Sequence, residues 1–217
     1  MRSSSRARAF VVLVSVTAVA PLACSRTPPE PLPASTANTT VVPTDRGPVK
    51  PATTAAPEAG SRCIKATPAE APAIPPAATS ATCPRDPDGI PKLQIASVTF
   101  PGTTIPKLEV EIASTERDIE RGLMYRMSMP EEHGMLFNLP ERRDHMFWMH
   151  NTCIPLDMLF VDDDGTIVGI FEGAAPLTDT TRSVGCPSSW VLEVNGGWCR
   201  RHGLRAGQKM VIPPIAR

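Results

Sequence analysis

The distribution of apolar residues divides the chain into three parts. Residues 9–20 form one apolar run that follows three arginines, whereas residues 24–91 contain no aromatic residue and hold 15 of the 25 prolines. From residue 92 onward, short apolar segments alternate with polar turns, and this part holds every aromatic residue except Phe10. Because large apolar side chains build a core, the pattern predicts a single folded domain over residues 92–217.

The alternation within this domain predicts short strands. Leu108, Val110 and Ile112 alternate with Glu109 and Glu111, which is typical of a strand with one buried face. Similar segments predict strands over 93–100, 135–137, 145–150, 158–161, 167–171 and 189–194, and a closing strand within 204–212.

Two short helices complete the predicted domain. Ser114 and Thr115 precede the acidic residues Glu116 and Asp118, and a hydroxyl cap with acidic residues in the first turn favours a helix start. A second short helix over 197–202 is expected to end at Gly203. The predicted fold class is therefore α+β and mainly β: a small antiparallel, barrel-like domain with one or two short helices.

The first 23 residues have the features of a signal peptide. Three arginines precede the apolar run, and its twelve residues are too few to span a bilayer, which takes about 20. The sequence Pro21-Leu22-Ala23-Cys24 resembles the lipobox of bacterial lipoproteins, although that motif usually has Leu where Pro21 stands. We therefore expect an exported protein that is anchored to the membrane by acyl chains on Cys24, with ordinary secretory cleavage as the alternative.

Residues 24–91 are predicted to form a disordered linker between the lipidated cysteine and the domain. A segment rich in Pro, Ala and Thr and without aromatic residues cannot bury enough apolar surface to offset its ordering entropy. Cys63 and Cys83 lie within this linker, and an oxidising compartment would allow them to pair with each other.

Charge and cysteine spacing argue against several classes of function. From Lys92 onward the chain has 13 Lys and Arg residues and 16 Asp and Glu residues, so it lacks the excess of cations that nucleic-acid binding needs. None of the six cysteines belongs to a CxxC pair, and we predict neither a metal site of that kind nor a cofactor.

Six short motifs follow one another in the domain. They are Glu120-Arg121-Gly122-Leu123-Met124, Gly134-Met135-Leu136-Phe137, Phe147-Trp148-Met149-His150-Asn151-Thr152, Ile154-Pro155-Leu156-Asp157, Val191-Leu192-Glu193-Val194 and Gly203-Leu204-Arg205-Ala206-Gly207. In this order and spacing, over about residues 94–212, they resemble the domain-of-unknown-function 192 family of bacteria and archaea. The resemblance implies a compact, strand-rich fold, often exported or lipid-anchored, without an established activity.

A candidate ligand site centres on the tryptophan and the polar residues of the third and fourth motifs. An aromatic stacking surface beside amide, hydroxyl and carboxyl groups suits a sugar or another small polar ligand. The alternative is structural: Asn151 and Asp157 would brace a tight bend through hydrogen bonds to the backbone, with Trp148 in the core. The candidate ligand-binding residues are Trp148, His150, Asn151, Thr152, Asp157, Arg121 and Glu193.

These residues favour a non-enzymatic envelope module that binds a cell-wall saccharide or another small polar ligand. A first alternative is an envelope hydrolase with Asp157 as general base, which requires an open cleft and a second ionisable group. A second alternative is a Cu(I)-binding protein, because thioether and imidazole ligands select Cu(I), although methionines also fill irregular cores. Its candidate ligands are Met124, Met127, Met129, Met135, Met146, Met149, Met158, His133, His145 and His150.

The cysteines of the domain predict one disulfide. Two thiols of an exported domain usually pair, and we expect Cys153 to pair with Cys186. Cys199 would then remain a free thiol on the second helix.

Overall fold

The computed structural model describes residues 62–215. The predicted signal peptide, Cys24 and the first part of the predicted linker lie outside the described residues. Within residues 62–215, no helix is long and apolar enough to cross a membrane.

Six strands form one open sheet. The strands are β1 (Gln94–Val98), β2 (Leu108–Ala113), β3 (His133–Arg143), β4 (Leu156–Val161), β5 (Ile167–Ala174) and β6 (Ser188–Asn195), and the helices are α1 (Glu116–Arg121) and α2 (Trp198–Arg201). The spatial order is β1-β2-β3-β6-β4-β5, with one parallel pair, β2 and β3, among antiparallel neighbours. The mainly β fold with two short helices is confirmed, and the sheet does not close into a barrel because β1 and β5 are its edges.

Both faces of the sheet are covered. Because β6 is pleated, Leu192 points to one face of the sheet, where Trp198 of α2 packs. Val191 points to the other face, where it packs with Met149 and with Leu123, which follows α1 in the chain. We call these the α2 face and the α1 face. Two separate apolar clusters therefore hold the domain together, one on each side of the sheet.

Two predicted strands are reduced to isolated pairings. Segment 145–150 contributes one bridge, between Phe147 and Arg182, and the C-terminal segment pairs only at Val211 and Lys209. Their apolar residues pack across the faces of the sheet instead of extending its edges: Met149 is fully buried in the α1-face cluster.

Residues 62–91, which we call the strap, lie against the domain, and this corrects the predicted disorder for that part of the linker. Lys65 N donates to Val168 O at 2.7 Å, and Ala78 N donates to Cys153 O at 2.7 Å. The strap forms no helix or strand. Its ordering entropy is therefore offset in large part by covalent links to the domain.

Two disulfides provide those links, and they correct the predicted pairings. Cys63 is bonded to Cys186 and Cys83 to Cys153, across 123 and 70 residues. The strap thus supplies the partners of Cys153 and Cys186, whereas Cys199 is free, as predicted, and is also buried. In the chain-entropy model, loops of this length each restrict the unfolded chain by about 4 to 5 kcal/mol. Two such disulfides are compatible with an exported protein.

Candidate functional site

The predicted site residues separate between the two faces of the sheet. Arg121, Trp148, Thr152 and Glu193 line one small pocket on the α1 face. Asp157 has its side chain on the α2 face, because it alternates along β4 with Leu156 and Met158 of the α1-face cluster. The structure therefore brings together four of the seven residues and removes Asp157 from their site.

Asp157 is a structural brace. Its side chain is fully buried; Oδ1 accepts hydrogen bonds from the N–H groups of Gly173 and Gly197, each at 2.9 Å, and Oδ2 accepts one from Cys199 N at 3.0 Å. Burial, with the adjacent Asp157 carboxylate, raises the pKa of the Cys199 thiol. Asp157 thus ties β4 to β5 and α2, not to its own bend as predicted, and no open cleft gives a substrate access to it.

Glu193 is the unusual group of the α1-face site. It is 4% exposed and lies opposite Met135 and Met158 on the neighbouring strands. None of the residues in 62–215 forms a hydrogen bond with its carboxyl group. Burial raises the pKa of Glu193 to about 8, so this carboxyl group is uncharged at neutral pH. A protonated carboxyl group can donate one hydrogen bond and accept others.

The small pocket beside Glu193 adjoins a larger groove. The pocket holds about 20 Å³, enough for one water molecule, and the groove about 1130 Å³. Ile119, Glu120, Phe147 and Trp148 line both. The groove and the pocket that Glu193 lines are therefore adjacent and share one wall.

Trp148 forms an exposed aromatic surface at this junction. Its side chain is 43% exposed, which corrects the alternative that placed it in the core. One face stacks on the ring of His150, with centroids 5.1 Å apart and planes inclined by 29°. His150 Nδ1 lies 2.7 Å from Asp179 Oδ1. His150 therefore supports the orientation of the indole ring.

Asn151 links its bend to Tyr125, and its side chain bonds a hydroxyl group instead of the backbone that the structural alternative named. Its backbone has the left-handed φ of 51°, which Asn tolerates better than most residues. Its Nδ2 donates to the hydroxyl of Tyr125 at 2.9 Å, and Tyr125 N donates to Asn151 O at 2.8 Å. Sequence reasoning missed Tyr125, although a lone tyrosine directly after the first motif was an available signal.

The groove carries charges of both signs. Glu116, Glu120 and Asp163 line it together with Arg142 and Arg143. This mixture does not favour a strongly charged ligand. Ser189 also lines the groove, and its buried hydroxyl has no hydrogen-bond partner among the described residues.

The methionines and histidines of the copper alternative do not gather at one place. Met135, Met149 and Met158 are fully buried in the α1-face cluster, whereas Met127 and Met146 are exposed. Their distribution is that of core and surface residues. In the part of the chain that the structure describes, no three His, Cys, Asp or Glu side chains form a group that could hold a metal ion.

Comparison with known proteins identifies related sequences of unknown function. Residues 97–212 match the family model DUF192, described as Uncharacterized ACR. A crystal structure of a candidate transcription regulator from Sinorhizobium meliloti 1021 is 38% identical, with a TM-score of 0.54 over 57% of this chain and 97% of that one. A protein of unknown function from Novosphingobium aromaticivorans DSM 12444 is 35% identical, with a TM-score of 0.52 over 66% of this chain and 94% of that one. No curated protein matches.

Proposed function

The chain belongs to the domain-of-unknown-function 192 family, and on that premise we propose that it is a non-enzymatic binding module for a neutral saccharide of the cell envelope. The ligand stacks on Trp148 and directs a hydroxyl group to Glu193 in the small pocket. The observation that carries the proposal is a buried, uncharged carboxyl group in a pocket beside an exposed tryptophan.

The chemistry of these two residues matches a sugar better than a charged ligand. An aromatic face packs against the apolar C–H groups of a sugar ring, while a protonated carboxyl group donates to one hydroxyl oxygen and accepts from another. An anionic group next to Glu193 would itself have to leave water for an apolar surrounding, which carries a desolvation cost that a neutral hydroxyl group with hydrogen-bond partners avoids. Thr152 adds a hydroxyl group to the same pocket.

Other functions receive less support. A general-base role needs access to Asp157, which is buried and bonded to three backbone N–H groups. The description of the Sinorhizobium protein as a candidate transcription regulator is not carried over, because 16 acidic residues outnumber 13 basic ones from Lys92 onward.

Isothermal titration of the protein with N-acetylglucosamine and its disaccharide tests the proposal. We expect Trp148→Ala to weaken binding by about tenfold, which corresponds to about 1.4 kcal/mol. Met127→Ala is the matched control, because Met127 is similarly exposed, at 44%, and does not line the groove or the pocket. Equal affinities of the two variants, or no binding of either sugar at millimolar concentration, would contradict the proposal.

Glu193→Gln separates hydrogen bonding from charge at the same site. The amide keeps a donor and an acceptor in nearly the same volume, so affinity at pH 7 should stay within about threefold of the wild type. The wild type should lose affinity as the pH rises through about 8, because Glu193 then ionises, whereas the variant should not. A shared pH dependence would assign the effect to another group.

Export and lipid attachment form a separate part of the proposal. We infer from the sequence that Cys24 carries acyl chains and that the module works at the outer face of a membrane. The two disulfides support an oxidising compartment.

A further inference from the structure

The strap contributes to the site from outside the family domain. The family match begins at residue 97, whereas the strap ends at residue 91. Cys83 is bonded to Cys153, next to Thr152 of the pocket. Three residues later, Asp86 binds Arg121, which also lines this pocket. One short segment is therefore bonded to the domain at two points beside the site.

Arg121 donates two hydrogen bonds to this segment, both from Nη2. Its Nη2 donates to Asp86 Oδ1 at 2.6 Å and to Gly89 O at 2.9 Å. Its Nη1 lies 3.8 Å from Asp88 Oδ2. The guanidinium group also lies over the ring of Tyr125, 5.2 Å from its centroid, which is within the range of a cation–π contact.

Asp86 is built into a tight turn that aims its carboxylate at Arg121. The same Oδ1 accepts the N–H groups of Asp88 and Gly89, each at 3.1 Å. The side chain of Asp86 is 19% exposed and that of Arg121 13%. Arg121 holds the pKa of Asp86 below its usual range, so the pair stays charged at neutral pH.

We propose that Asp86 is a specificity-determining residue that neutralises Arg121 and thereby excludes carboxylate-bearing saccharides from the pocket. The inference rests on the proposed function of the pocket as a saccharide site. An unpaired arginine would bind a ligand carboxylate through a charge-assisted hydrogen bond. Asp86 already accepts a hydrogen bond from Nη2 of Arg121 and offsets its positive charge, and the Cys83–Cys153 disulfide keeps the segment in place.

Asp86→Asn tests the inference with two sugars that differ by one carboxyl-bearing group. N-acetylmuramic acid carries a lactyl ether that N-acetylglucosamine lacks. The Asn side chain keeps an oxygen that accepts the two turn N–H bonds, while the negative charge is lost. We expect affinity for N-acetylmuramic acid to rise roughly tenfold, with affinity for N-acetylglucosamine changed by less than about threefold, and the gain should shrink at high salt.

A second variant and a matched control sharpen the test. The double replacement of Cys83 and Cys153 by Ser releases the end of the strap and should shift selectivity in the same direction. The control is Glu131→Gln, which removes the carboxylate of an exposed ion pair between Glu131 and Arg201, 2.6 Å apart. Neither residue lines the groove or the pocket, so selectivity should stay unchanged. If the wild type binds neither sugar, the proposed function fails. If it binds N-acetylglucosamine but Asp86→Asn leaves the ratio of the two affinities unaltered, only the role of Asp86 is refuted.

Discussion

Replacement of Glu193 by Gln is expected to change how stability depends on pH. In the folded protein, burial raises the pKa of Glu193 from 4.5 to about 8. The unfolded chain exposes this group to water and releases its proton near the ordinary value. Between the two pKa values, the folded state therefore binds more protons than the unfolded state, and stability falls as the pH rises.

The size of the effect follows from the two pKa values. They differ by about 3.5, and one pKa unit corresponds to about 1.36 kcal/mol, so the full loss amounts to about 5 kcal/mol. Protonated Glu193 makes its full contribution to the free energy of unfolding below about pH 4.5. This contribution declines as the pH rises and is lost above about pH 8. Because Glu193 is only 4% exposed, solvent screening removes little of this effect.

Urea unfolding of the wild type and Glu193→Gln at pH 5 and pH 8.5 measures the difference. From pH 5 to pH 8.5, the free energy of unfolding should fall by several kcal/mol more in the wild type than in the variant, since Gln has no proton to release. Glu132→Gln, at an exposed position before β3, is the matched control and should follow the wild type. If the free energy of unfolding changed with pH in the same way in the wild type and in Glu193→Gln, Glu193 would ionise near its ordinary pKa. That result would refute the inference that its carboxyl group is uncharged at neutral pH.

Three further outcomes are expected. Asp157→Asn should destabilise the fold by about 2 to 4 kcal/mol in urea unfolding, because the amide cannot accept all three backbone N–H bonds. Gly134→Ala should cost about 1 to 3 kcal/mol in the same assay, since the new Cβ would lie 2.7 Å from the Glu193 carbonyl oxygen. Cys24→Ala should abolish incorporation of labelled palmitate and release the protein from the membrane fraction, and an unchanged membrane fraction would refute the lipid anchor.

The sequence was sufficient to predict the strands in which apolar and polar residues alternate, and to predict the helix caps. The predicted hydroxyl cap of α1 is confirmed, and Thr115 supplies it by accepting from Asp118 N at 3.2 Å. Segment 145–150 has the same apolar content as a strand, yet it crosses the α1 face as a loop. Local alternation cannot distinguish an edge strand from a buried crossing segment, because both place large side chains in the core.

The candidate site was only partly accessible to sequence reasoning. Proximity along the chain grouped Asp157 with Trp148, but the pleat of β4 sends Asp157 to the opposite face of the sheet. Glu193 lies far from Trp148 in sequence, so local spacing gives no reason to place the two side chains together. Its protonation state follows from burial between Met135 and Met158, which only the three-dimensional arrangement reveals.

The strap shows why amino-acid composition gave a wrong prediction of disorder for residues 62–91. Most of its side chains are exposed, and its apolar contacts are few: the side chain of Ile74 packs close to Gly173, Gly196 and Gly197, where a Cβ would lie 3.1 to 3.2 Å from it. Such packing alone cannot offset the ordering of some thirty residues. The two disulfides therefore fix the strap together with polar contacts, such as those that Arg200 donates to Pro68 O and Glu70 O. Reduction should loosen the segment that holds Asp86 against Arg121, and we expect the exclusion of acidic saccharides to weaken with it.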